Sequence, residues 1–84
     1  MGSLADLELL MDELGRAGVT VLVKVDHERM QTGIKPWTMV MSGPGLGERQ
    51  HIRTDARDLQ LCLRYCLREL SKCPGDWEWL ELYL

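Results

Sequence analysis

Residues 19–26 read Val-Thr-Val-Leu-Val-Lys-Val-Asp, with a valine at every second position. A β-strand sends successive side chains to opposite faces, so this period of two gathers all four valines on one side. A helix would scatter them around its axis. The β-branched side chains also suit a pleated surface. A strand cannot satisfy its own backbone groups, so the chain must supply partner strands. It must also supply an apolar layer to cover the valine face.

Two helical stripes can provide that cover. Leu4, Leu7, Leu10, Met11 and Leu14 recur at three- and four-residue spacing. Ser3 is placed to cap this helix, Asp6 completes a capping box, and Gly15 and Gly18 bracket its end. Further on, Leu59, Cys62, Leu63, Cys66, Leu67 and Leu70 form a second stripe. Thr54 or Asp55 is the expected cap, and Pro74-Gly75 the stop.

Between the stripes, residues 36–42 read as a second strand with Trp37, Met39 and Met41 on one face. Residues 27–34 read as a polar loop holding Gly33, and 43–48 as a glycine-rich loop. Residues 49–54 read as a third strand in which Ile52 is the clear apolar position. The last segment, Asp-Trp-Glu-Trp-Leu-Glu-Leu-Tyr-Leu, fits either a strand or a helix. Its aromatic residues and the preceding Pro-Gly favour the strand. The expectation is a single α+β domain over residues 1–84. It has two layers in the order α-β-β-β-α: an antiparallel sheet with two helices on one face, and room for a short C-terminal strand. No internal repeat or linker divides the chain.

Several functions are disfavoured. No stretch approaches the length of apolar chain that a membrane span needs, and the N-terminus lacks the basic and apolar regions of a signal peptide. Met1-Gly2 is followed by Asp6 where a myristoylation motif requires Ser or Thr. The three cysteines, Cys62, Cys66 and Cys73, are an odd, clustered set that suits a reducing, cytoplasmic location. Their spacing is not that of a zinc site, and Cys62 and Cys66 fall in the leucine stripe, so no metal is expected. His27 and His51 could each serve as a base, but neither stands in a catalytic signature. The loop Gly43-Pro44-Gly45-Leu46-Gly47 lacks the Lys-Ser/Thr of a phosphate-binding loop, and a strand rather than a helix follows it. Those glycines would also suit a close approach to a partner. No catalytic residue and no cofactor is expected.

Charge carries the remaining information. The net charge is −3. Asp6, Glu8, Asp12 and Glu13 stand in the first helix without a basic residue among them, and Asp76, Glu78 and Glu81 close the chain. The middle is basic, with Arg57, Arg64, Arg68 and Lys72 spaced along the outer side of the second stripe. The order α-β-β-β-α is shared with double-stranded-RNA-binding domains, but an acidic start to the last helix would repel phosphate. Direct nucleic-acid binding is therefore not expected. The tail sets Trp77 and Trp79 among Glu78 and Glu81, and Trp and Tyr dominate interface hot spots.

In size, acidity and want of a catalytic motif, the chain resembles the small inhibitors that phages and mobile elements direct against host defence complexes, the anti-CRISPR proteins. That resemblance implies a non-enzymatic inhibitor bound to another protein or a ribonucleoprotein complex. Its contacts would be Asp6, Glu8, Asp12 and Glu13 of the first helix, or Trp77, Glu78, Trp79 and Glu81 of the tail. A row of carboxylates can imitate phosphates in a basic groove. The alternatives are a toxin-neutralising immunity protein and an RNA-binding module, with an enzyme last. The opposed charges and an exposed edge strand also allow a homodimer.

Overall fold

A computed structural model describes residues 3–83. The Met1-Gly2 dipeptide and the Leu84 end of the strand reading lie outside them. Helix α1 spans Leu4–Arg16, with the Ser3 hydroxyl accepting from the Asp6 amide. Strand β1 spans Thr20–Val25, helix α2 His27–Thr32, strand β2 Trp37–Ser42, strand β3 His51–Ala56 and helix α3 Leu59–Leu70. The sheet is antiparallel, in the order β1-β2-β3. Helix α1 lies against β1, while α3 lies against β2 and β3. The α+β fold is thus the one the two periodicities imply.

Register explains which side is buried. Val21 pairs with Met41, Val23 with Met39 and Val25 with Trp37, and Met41 pairs onward with Ile52. These residues lie on the helix side of the sheet, whose centre the helices cover. Met39, Met41 and Ile52 are fully buried there, with Leu10, Leu14, Leu63, Leu67 and Leu70 from the helices above them. Cys62 and Cys66 belong to this core, as the stripe requires. A fully buried side chain of this size contributes about 1.5–3 kcal/mol.

The structure departs from the sequence expectations in three places. Residues 27–32 are helical rather than a loop, because Asp26 caps them: its carboxylate accepts from the Glu28 and Arg29 amides. Gly33, at φ 74°, closes α2 in the left-handed conformation that glycine adopts without strain. Thr54, Asp55 and Ala56 do not begin α3. They pair with Met39, Thr38 and Trp37 and lengthen β3, and Asp58 caps the helix instead. The tail takes the helical alternative in place of the favoured strand, in a tighter form than an α-helix. Glu78–Tyr83 forms a 3-10 helix that sends Trp77 and Leu80 into the core.

The glycine-rich loop also finds its partner within the chain. Pro44–Leu46 makes a 3-10 turn whose Leu46 is fully buried. The Gly45 amide donates to the Gly18 carbonyl at 2.9 Å. A Cβ on Gly45 would stand 2.5 Å from the Ala17 carbonyl oxygen, so the close approach the glycines permit is to the α1–β1 turn.

Candidate interaction surface

The acidic residues of α1 point away from its leucines. Asp6, Glu8 and Asp12 are exposed, while Glu13 is half-buried. The reason is the tail, which returns from the end of α3 to lie beside α1. Trp79 lines a shallow hollow with Glu13, Arg16 and Ala17. Tyr83 lies near enough to Glu13 and Asp6 for both carboxylates to disfavour its ionisation. Partial burial raises its pKa first, and those two charges raise it further.

The tail residues divide by burial. Trp77 is enclosed in the core, and its indole N–H donates to the Pro74 carbonyl at 3.3 Å. It stands as a packing residue, not a surface contact. Trp79 is half-buried, with its N–H on the Asp76 carbonyl at 3.1 Å, and it packs against Trp77 on one side and Tyr83 on the other. Glu78 and Glu81 are exposed. Folding therefore brings the two acidic segments, far apart in sequence, onto adjoining elements. Asp6 and Glu13 of α1 approach Tyr83, and Glu13 with Arg16 flanks Trp79, while Glu78 and Glu81 are exposed on the tail itself.

A basic strip lies along the outside of α3. Arg57, Arg64, Arg68 and Lys72 are all exposed. Lys72 and Arg49 both bridge to Glu69, at 2.8 and 3.2 Å, and these hydrogen bonds lower the Glu69 pKa.

The opposite sheet face carries a polar cluster that the sequence did not advertise. Thr38 is buried there, and its hydroxyl donates to the Asp55 carboxylate. Arg29 of α2 reaches the same carboxylate at 3.1 Å, and Arg53 approaches it at 3.8 Å. The Thr38 hydrogen bond is the largest cause of a lowered Asp55 pKa, followed by the arginines. Every member has a partner, so the cluster reads as a fastening of α2 to the sheet.

Chemistry-bearing side chains are not gathered together. His27 and His51 are exposed, whereas Cys62, Cys66 and Cys73 are buried and reduced. Burial pushes the Cys66 thiol up to about 12 and also raises Cys62, the reverse of an activated nucleophile. No group of three or more metal-ligating side chains occurs among the described residues. No helix among them is long and apolar enough to cross a membrane.

Fold and surface together define a small α+β domain whose helix layer carries an acidic flank at α1 and the tail and a basic flank at α3. Comparison with protein-family models, with curated proteins and with solved structures finds no match for the chain.

Proposed function

We propose that this chain is a non-enzymatic inhibitor that acts in the cytoplasm by laying its acidic flank into a basic, nucleic-acid-binding groove of a larger protein or ribonucleoprotein complex. The observation that carries this reading is the convergence of α1 and the tail. Asp6 and Glu13 of α1 approach Tyr83, Glu13 also lines the hollow beside Trp79, and Glu78 and Glu81 stand exposed on the tail. Carboxylates on packed elements are held at fixed spacing, so they can stand in for phosphates. The aromatic pair offers apolar area at the centre of the patch, where hot spots concentrate. Opposed charge on the groove would speed capture and exclude neutral partners. An anti-CRISPR-type inhibitor is the particular form this reading takes.

The test compares the wild-type chain with Asp6→Lys/Glu81→Lys as bait in nuclease-treated host lysate. Both positions are exposed, so the fold should survive the reversal. The wild type should retain a stoichiometric complex, added duplex nucleic acid should displace it, and the reversed variant should lose it. Retention unaffected by the reversal would remove the acidic flank from the mechanism. Salt-resistant gel retardation of bare RNA by the chain itself would move the RNA-binding reading ahead.

A further inference from the structure

The edge of the sheet at β1 differs from the edge at β3. Strand β3 carries His51, Arg53 and Asp55 on one face, and charges of this kind discourage edge-to-edge pairing. Strand β1 carries a single charge, Lys24, and leaves Leu22, Val23 and Val25 exposed at 66, 43 and 49%. Val23 and Val25 belong to the face that the helices cover elsewhere. Helix α1 lies over the start of β1 and leaves this end bare.

The backbone of that edge can be read from its hydrogen bonds. The Asp26 amide donates to the Pro36 carbonyl at 2.9 Å, so Asp26 turns its N–H towards β2, while its carbonyl accepts from the Met30 amide. Antiparallel ladders alternate, so Lys24, Leu22 and Thr20 turn their peptide groups towards β2, and Val21, Val23 and Val25 direct theirs outward. Val19 is spoken for, because its amide donates to the Leu14 carbonyl at 2.9 Å. Among the described residues, the free edge is thus three valines, and its centre is Val23.

We propose that β1 pairs with β1 of a second copy of this chain about a two-fold axis at Val23, joining two sheets into one of six strands. In this register Val23 faces its own copy and Val21 faces the partner's Val25, and each of these pairs exchanges two backbone hydrogen bonds. Parity keeps the two helix-covered faces on the same side. The bare Val25 of each copy comes to lie beside Val21 of the other, beneath that copy's α1. On the open face Leu22 meets the partner's Lys24 and Thr20 its Asp26, so no like charges stand directly opposite. Moving the axis one residue to Lys24 would set two lysines against each other. Moving it to Leu22 would bring in Val19, whose amide is already taken. The interface is isologous and closed, so it yields a dimer and not a filament.

Sedimentation equilibrium across micromolar to hundreds of micromolar protein reads the association. The wild type should form a dimer. Val23→Lys, at a position open to solvent in the single chain, should weaken it at least about tenfold. Val23→Thr, which keeps the β-branch, should retain it. Circular dichroism confirms that each variant is folded. The register is read by oxidation. Val23→Cys should give a covalent dimer, because paired Cα atoms about 5.5 Å apart lie within disulfide range. Leu22→Cys should not, because its copies are offset by two residues and fall beyond about 7 Å. A wild type that stays monomeric at the highest concentration, or dimers that ignore Val23→Lys, would overturn the proposal. Cross-linking through Leu22→Cys in place of Val23→Cys would overturn its register.

Discussion

Thr38 stands on the sheet face away from α1 and α3, where a polar residue normally meets water. It is nevertheless buried, with its hydroxyl on the Asp55 carboxylate and Arg29 of α2 reaching the same carboxylate. Its hydroxyl is worth keeping only while the carboxylate accepts it. Replacing Thr38 with Val keeps the volume and removes the donor. We expect a loss of about 1 kcal/mol, modest because the Asp55 side chain is still a third exposed. Urea unfolding should show a lower midpoint with an unchanged slope. An unchanged midpoint would mean the cluster does not fasten α2. The cysteines offer a second test at this scale. Cys62 and Cys66 were legible as core residues from their helical spacing, and burial holds both thiols protonated. Near pH 8 the folded protein should therefore leave these two thiols far slower to react with Ellman's reagent than an exposed cysteine. All three should react promptly in denaturant. The Thr38–Asp55 partnership, by contrast, could not be seen in the sequence. It joins residues seventeen apart, through a register that only the folded sheet defines.

Elements with strong periodicity were readable, and those set by caps or tertiary contact were not. The leucine stripes and alternating valines specify α1, α3 and β1 because each pattern fits one geometry. Helix α2 is too short to show a stripe, and its signal is the capping Asp26 with Gly33 behind it. The cap expected of α3, Thr54 or Asp55, falls too early, because pairing with β2 draws both residues into β3 and leaves Asp58 to cap the helix. The tail carries both periods weakly, and its outcome depends on the cavity it fills. Leu80 is 1% exposed and Leu82 83%, which makes the tail part of the core on one side only. Leu80→Ala should cost about 2–5 kcal/mol and Leu82→Ala less than about 0.5 kcal/mol in thermal unfolding. Equal, small effects would make the tail an appendage and would remove the support beneath Trp79 and Tyr83. Gly45→Ala should also destabilise, by about 1–3 kcal/mol, since a methyl group there meets the Ala17 carbonyl.

Across the whole molecule, the sequence showed that charge is segregated but not that α1 and the tail adjoin, since adjacency depends on how the chain turns after Pro74-Gly75. The same segregation shapes stability against pH. Asp26, Asp55 and Glu69 all have lowered pKa values: the first from backbone hydrogen bonds at the α2 cap, the second chiefly from Thr38, the third from Lys72 and Arg49. A carboxylate with a lowered pKa in the folded state binds its proton more readily when unfolded. Its stabilisation is complete above the ordinary carboxylate range and is lost as pH falls through the folded value. The thiols act on the other limb. Cys66 ionises near its ordinary value of 9.0 in the unfolded chain but only at about 12 when folded, so stability falls as pH rises across that interval. The melting temperature should therefore hold level from about pH 5 to 8 and decline on both sides. Asp55→Asn should flatten part of the acid limb, and Cys66→Ala part of the alkaline limb, each while lowering the plateau. An alkaline limb unchanged in Cys66→Ala would show that the thiol is not held in the core, and the packing of α3 on β2 and β3 would need revision.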